Sequence, residues 1–168
     1  MKNIILTGFM GTGKTAVAKE LSRLLNLKMV DIDNEIEKAE GITINEIFKR
    51  YGESKFRGIE TEMIKKISSE KNLIISTGGG VVLREENIRM LKENGIIICL
   101  IATPETIFER TKNNSDRPLL QVSDPLKKIK ELLEFRMPFY KKADIIINTE
   151  GKTPLQIAEE IIEEIKWI

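Results

Sequence analysis

At 168 residues the chain has the length of one domain, able to bury a core without disulfide or metal staples. Charged residues make up 32 % of it, yet 27 basic and 26 acidic side chains leave a formal net charge of +1. That lacks the positive excess on which general nucleic-acid or anionic-membrane binding depends, although a compact basic pocket remains open. Histidine is absent, which removes His-based triads, His zinc sites and His general bases, and the single cysteine allows neither a disulfide framework nor a CxxC pair.

Short Ile- and Val-rich runs at residues 3–7, 28–31, 73–76, 96–101 and 144–148 read as strands. They are continuous rather than alternating in polarity, as strands covered on both faces are. Helical periodicity occupies 14–25, 44–51, 53–70, 84–94, 104–111, 125–140 and 154–165. The alternation predicts an α/β sandwich around a mainly parallel sheet, with no internal repeat and no linker. Cys99, inside IIICLIA, reads as a small core residue. The opening MKNIILTG is too short an apolar run for a signal peptide, and no run approaches membrane-spanning length, so a reducing cytoplasmic setting is expected. Residues 112–124, KNNSDRPLLQVSD, follow neither period; a loop of that length is a functional lid or a disordered segment. The last helix reads as an acidic solvated face, with Trp167 as a core contact.

Residues 8–15, GFMGTGKT, fit G-x-x-x-x-G-K-[ST] between a predicted strand and a predicted helix. Backbone N–H groups in such a loop converge on phosphate oxygens, and the helix N-terminus adds its positive end. Lys14 is placed to reach the β- and γ-phosphates and Thr15 to ligate Mg²⁺. The NKxD and DxxG patterns of a GTPase switch are missing, and the chain is short for an ATPase motor, which favours a small-molecule kinase.

Strand two ends in MVDID, so Asp31 and Asp33, two residues apart, are expected to face one cleft; helix capping is the alternative for Asp33. In FRGIE, Arg57 and Glu60 are i, i+3 helical neighbours, and Glu60 falls in phase with apolar Phe56, Met63 and Ile67. An acid on that face needs a partner such as Arg57, unless the two form only a surface ion pair. Arg136 continues the inward stripe of Leu126, Ile129 and Leu133, either snorkelling past apolar surface or awaiting an anion. ISTGGGVV, residues 75–82, puts three glycines after a strand, a costly choice unless a ligand approaches bare backbone. In a parallel sheet the three loops gather beyond the strands' carboxyl ends.

Taken together, GxxGxGKT, the DxD after strand two, FRxxE, TGGG, RPLL and an Arg-x-x-x-Tyr near the end resemble the shikimate kinase family over nearly the whole chain. The resemblance implies ATP-dependent phosphorylation of the 3-hydroxyl of shikimate. It implies one P-loop kinase domain over residues 1–168, with a five-stranded parallel sheet in the order 2-3-1-4-5, an acceptor-binding subdomain at about 32–60 and a lid at about 112–124. Asp33, Arg57, Gly78, Gly79, Gly80 and Arg136 map to shikimate binding. Gly11, Thr12, Gly13, Lys14, Thr15 and Ala16 map to the triphosphate, Thr15 and Asp31 to Mg²⁺, and Arg110 and Arg117 to the lid side of ATP. Lys152, in NTEGKTP, is the candidate for the adenine loop. Lys14, Asp33 and Arg117 form the expected catalytic set. The implied partners are the small molecules shikimate and ATP, bound by a cytoplasmic monomer that uses neither nucleic acid nor membrane. A gluconate-type or nucleoside monophosphate kinase is the rival, and a nucleotide-gated binding module without turnover is the reading from another class.

Overall fold

The computed structural model describes residues 2–114 and 117–166; Trp167, and residues 115 and 116 of the expected lid, lie outside them. Five strands, β1 (Asn3–Gly8), β2 (Lys28–Asp31), β3 (Leu73–Ser76), β4 (Gly95–Ile101) and β5 (Ile145–Asn148), form one parallel sheet in the order β2-β3-β1-β4-β5. This is the order that the sequence resemblance implies. Ile4 of β1 lies in register with Ile74 of β3 and Ile96 of β4. Helices are α1 (Lys14–Leu25), α2 (Ile32–Glu40), α3 (Ile44–Ser68), α4 (Glu85–Asn94), α5 (Pro104–Thr111), α6 (Pro125–Tyr140) and α7 (Pro154–Ile165).

The two-residue period of a strand sends alternate side chains to opposite layers. Ile4 and Leu6 join Val17, Leu21, Ile157 and Ile161 beneath α1 and α7, whereas Ile5 joins Phe56, Ile64 and Leu91 beneath α3 and α4. A third cluster, with Phe9, Cys99, Ile107, Ile129 and Tyr140, lies where α5 and α6 close over the carboxyl end of β4. Cys99 is buried there, as expected.

Helix starts follow from local chemistry. Thr43 and Thr153 each form a capping box, with Glu46 and Gln156, and Thr103 and Asp124 cap helices whose next residue is proline. Helical periodicity at 44–51 and 53–70 becomes a single helix broken at Gly52, whose φ of 80° and ψ of 170° suit glycine alone. The chain at 32–40, unassigned from sequence, is helical: Ile32 and Ile36 are one turn apart and both buried. Asp31 caps that helix by accepting from the Asn34 N–H at 3.2 Å. Asp33 therefore occupies a first helical turn rather than a strand end, and the capping role belongs to Asp31. No helix among the described residues is long and apolar enough to cross a membrane.

Candidate active site

β1 delivers the chain into the loop 8–13, and Gly13 starts α1 with φ 94°, a left-handed turn that exposes the first helical N–H groups. The Thr12 hydroxyl donates to the Phe9 carbonyl at 2.8 Å and braces the loop from within. Lys14 folds back over the loop, donating to the carbonyls of Gly8 at 2.8 Å and Phe9 at 2.9 Å. Burial, followed by the nearby Arg117 charge, lowers its pKa from 10.5 to about 8.

Two adjoining cavities of about 300 Å³ each open beyond the carboxyl ends of the strands. One is lined by the loop residues Gly11, Gly13, Lys14, Thr15 and Ala16, with Arg110 at its rim. The other is lined by Arg57, Glu60, Gly80 and Arg136, with Ile44, Phe48 and Phe56 as its apolar wall. Met10, Thr15, Asp31, Asp33, Gly78, Gly79 and Arg117 face both. The phosphate loop and the triple glycine thus share a crevice, and Arg117 stands at their junction.

At that junction the Thr15 hydroxyl donates to Asp31 Oδ2 at 3.1 Å. A hydroxyl and a carboxylate side by side are hard oxygen donors, and they fit Mg²⁺, which takes few protein ligands and fills its octahedron with phosphate and water. Asp33 is half-buried, and its Oδ1 is buried without a partner. Its pKa is raised, chiefly by burial and then by Asp31, while Lys14, Arg117 and Arg57 oppose the rise.

Arg57 lies over the Phe56 ring, 5.0 Å from its centroid, and donates to Glu60 at 2.9 Å and Glu53 at 3.3 Å. Glu60 is fully buried, so the expected pairing is an interior one that fixes the guanidinium and not a surface ion pair. Burial raises the pKa of Glu60 and Arg57 opposes that rise. Arg136 is only 2 % exposed and packs over Phe9 at 5.5 Å, which rules out snorkelling to solvent. The buried Nε atoms of Arg57, Arg117 and Arg136 all lack partners, as expected of groups arranged for anions.

The triple glycine has a structural reason beyond the one read from sequence. None of Gly78, Gly79 and Gly80 has positive φ; what they supply is room. A Cβ on Gly78 would lie 3.0 Å from Glu60 Oε1 and 3.1 Å from Asp33 Oδ1, and one on Gly79 would lie 3.4 Å from Arg136 Nη1. Bare backbone here first admits the site's own charged groups. Within the described residues, no hydrogen bond uses the N–H of these three glycines.

Arg110 donates to the Gly11 carbonyl at 3.2 Å and the Thr149 hydroxyl at 3.3 Å, tying the phosphate loop to the loop after β5. Lys152 belongs to that later loop but lines neither cavity; its ammonium is paired with Glu160 of α7 at 2.5 Å. Sequence reading passed over Asn34, Glu37, Phe48 and Leu119, which line the cavity of Arg57 and Arg136. The first two belong to the unassigned α2, where the Asp31 cap and the Ile32/Ile36 spacing were the available signal.

A nucleotide-type phosphate loop opposite a small cavity bearing two arginines defines a P-loop kinase for a small anionic acceptor. A sequence profile of the shikimate kinase family matches residues 10–166, and the chain belongs to that family. It is 57 % identical to a shikimate kinase of Thermodesulfovibrio yellowstonii over 164 residues, covering 98 % of this chain and 95 % of that one. The solved shikimate kinase of Acinetobacter baumannii in complex with shikimate superposes with a TM-score of 0.97 at 38 % identity, covering 99 % of this chain and 94 % of that one. The shikimate kinase of Aquifex aeolicus gives a TM-score of 0.86 at 40 % identity, with 98 % and 96 % covered.

Proposed function

We propose that the chain transfers the γ-phosphoryl group of ATP to the 3-hydroxyl of shikimate, giving shikimate 3-phosphate and ADP. One observation carries this reading: Asp33, Gly79 and Arg117 each face both the phosphate-loop cavity and the cavity that holds Arg57 and Arg136. A donor in one cavity and an acceptor in the other would meet at these residues, as direct transfer without a phosphoenzyme requires.

In this reading Arg57 and Arg136 take the acceptor's carboxylate, which planar guanidinium forks match well. The free N–H groups of residues 78–80 meet its ring oxygens. Asp33 accepts the hydrogen bond of the attacking hydroxyl; its raised pKa makes it a stronger base than an ordinary aspartate, suited to receive the proton as the new O–P bond forms. Electrons of the broken P–O bond leave with ADP. Lys14 and Arg117 neutralise charge on the transferring group, the main catalytic demand of a loose transition state. Thr15 and Asp31 would hold Mg²⁺, which would supply charge neutralisation for the phosphates. Arg110 borders the nucleotide; Lys152 serves the adenine loop only after leaving Glu160.

Residues 32–60 act as the acceptor-binding part and 112–124 as the lid of one kinase domain, working as a cytoplasmic monomer on small molecules. A nucleoside monophosphate acceptor fits less well, because a cavity of about 300 Å³ with two arginines suits a small acid. The test is ADP release with shikimate, gluconate or AMP as acceptor, in the presence of ATP and Mg²⁺. Turnover with shikimate alone is expected; turnover with another acceptor and none with shikimate overturns the reading.

A further inference from the structure

The carbonyl of Gly79 accepts a hydrogen bond from the Tyr140 hydroxyl at 2.7 Å. Tyr140 is 1 % exposed and belongs to the cluster built by Phe9, Ile129 and Leu133. It follows Arg136 by four residues on α6, so both side chains leave the same helical face. Arg136 in turn lies against Gly79, where a Cβ would stand 3.4 Å from Nη1. One turn of helix therefore carries both a cavity-lining guanidinium and the hydroxyl that grips the glycine backbone beside it.

A trans peptide is planar, and its C=O and N–H point in opposite directions. Tethering the Gly79 carbonyl to Tyr140 turns the N–H of the same peptide, which belongs to Gly80, the other way. Gly80 lines only the acceptor cavity of the two, and its N–H has no partner within the described residues. Glycine supplies no side chain to hold that peptide plane, so the orientation needs an external tether. Asn87 holds a different peptide, the one that joins Val81 to Val82, its Nδ2 donating to the Val81 carbonyl at 3.0 Å.

We infer that Tyr140 is a positioning residue for the acceptor, aiming the Gly80 N–H into the cavity in fixed register with Arg136. Burial pushes the phenol up to about 12, so it remains a hydrogen-bond donor throughout the enzyme's working range. The inference rests on residues 78–80 and Arg136 forming the acceptor site.

Tyr140→Phe keeps the ring and removes only the donor. Shikimate KM is expected to rise about tenfold, the consequence of one unmade buried hydrogen bond, with ATP KM and kcat within twofold. In protein labelled with ¹⁵N-glycine, 11 residues give a sparse spectrum. The Gly80 amide signal should shift on addition of shikimate in the wild type, and by less at saturation in the variant. A shikimate KM within twofold of wild type, or equal rises for both substrates, overturns the inference. So does a Gly80 signal that shikimate leaves unmoved in the wild-type protein, a result independent of whether the variant folds. Arg136→Ala separates the levels. If it too leaves shikimate KM unchanged, the site reading itself has failed; if it alone raises KM, only the role of Tyr140 is lost.

Discussion

Gly80 makes space for Arg57: a Cβ at residue 80 would lie 2.5 Å from Cζ and 2.6 Å from Nη1 of that guanidinium. The backbone of Gly80, at φ −96° and ψ 0°, is one that alanine adopts freely. Gly80→Ala should therefore fold, with Arg57 displaced from its place between Glu60 and the cavity. A charge-assisted hydrogen bond is worth about 1.5–3 kcal/mol, so shikimate KM should rise roughly 10- to 100-fold while ATP KM stays constant. Steady-state kinetics check this, and a KM within twofold of wild type would falsify the steric account.

Arg136 combines near-complete burial with an unpartnered Nε. Arg136→Ala should raise shikimate KM strongly and leave nucleotide affinity almost untouched, since Arg136 lines only the acceptor cavity of the two. Separate titrations with shikimate and ATP read the split. Parallel losses in both would mean that the substitution has damaged the fold.

Arg117 faces both cavities and lies close enough to Lys14 to lower its pKa. Removing an arginine that stabilises phosphoryl transfer costs on the order of 10³ in turnover, which is the fall in kcat expected for Arg117→Ala. A loss smaller than about tenfold at saturating substrates would exclude it from the catalytic set.

Lys14 yields a prediction about protons. Its pKa in the ligand-free protein is about 8, lowered from 10.5 by burial and Arg117. Phosphate oxygens favour the charged ammonium and raise that pKa again. Nucleotide binding between about pH 8 and 10 should thus take up protons, roughly half of one at pH 8, and affinity should weaken as pH climbs through that range. Calorimetry in buffers of different ionisation enthalpy measures the uptake. Arg117→Ala should move its onset to higher pH; no uptake at pH 8 in the wild type would contradict the assignment.

Much of this was legible in the chain itself. Continuous apolar runs separated by amphipathic stretches specified a covered parallel sheet, because a strand buried on both faces cannot alternate. GFMGTGKT specified an anion-binding turn for an equally local reason: the spacing of its glycines, lysine and threonine is the geometry of the loop. The register of Glu60 and Arg136 on apolar helical faces offered burial as one of two readings for each, and the packing decided it. What periodicity missed was α2, whose nine residues include only two apolar ones larger than alanine, Ile32 and Ile36, too few to show a stripe.

Which charges meet was decided by packing. Arg57 and Arg136 come from α3 and α6, yet Arg57 abuts Gly80 and Arg136 abuts Gly79, and Tyr140 reaches Gly79 across 61 positions of chain. Sequence by itself determined the sheet and the phosphate loop, since each follows from neighbours within a turn or a strand. Tertiary structure alone decided that Glu60 and Arg136 are buried, that the glycines make room for charged groups and that one wall serves two cavities. These are contacts between distant segments, and no local period encodes them.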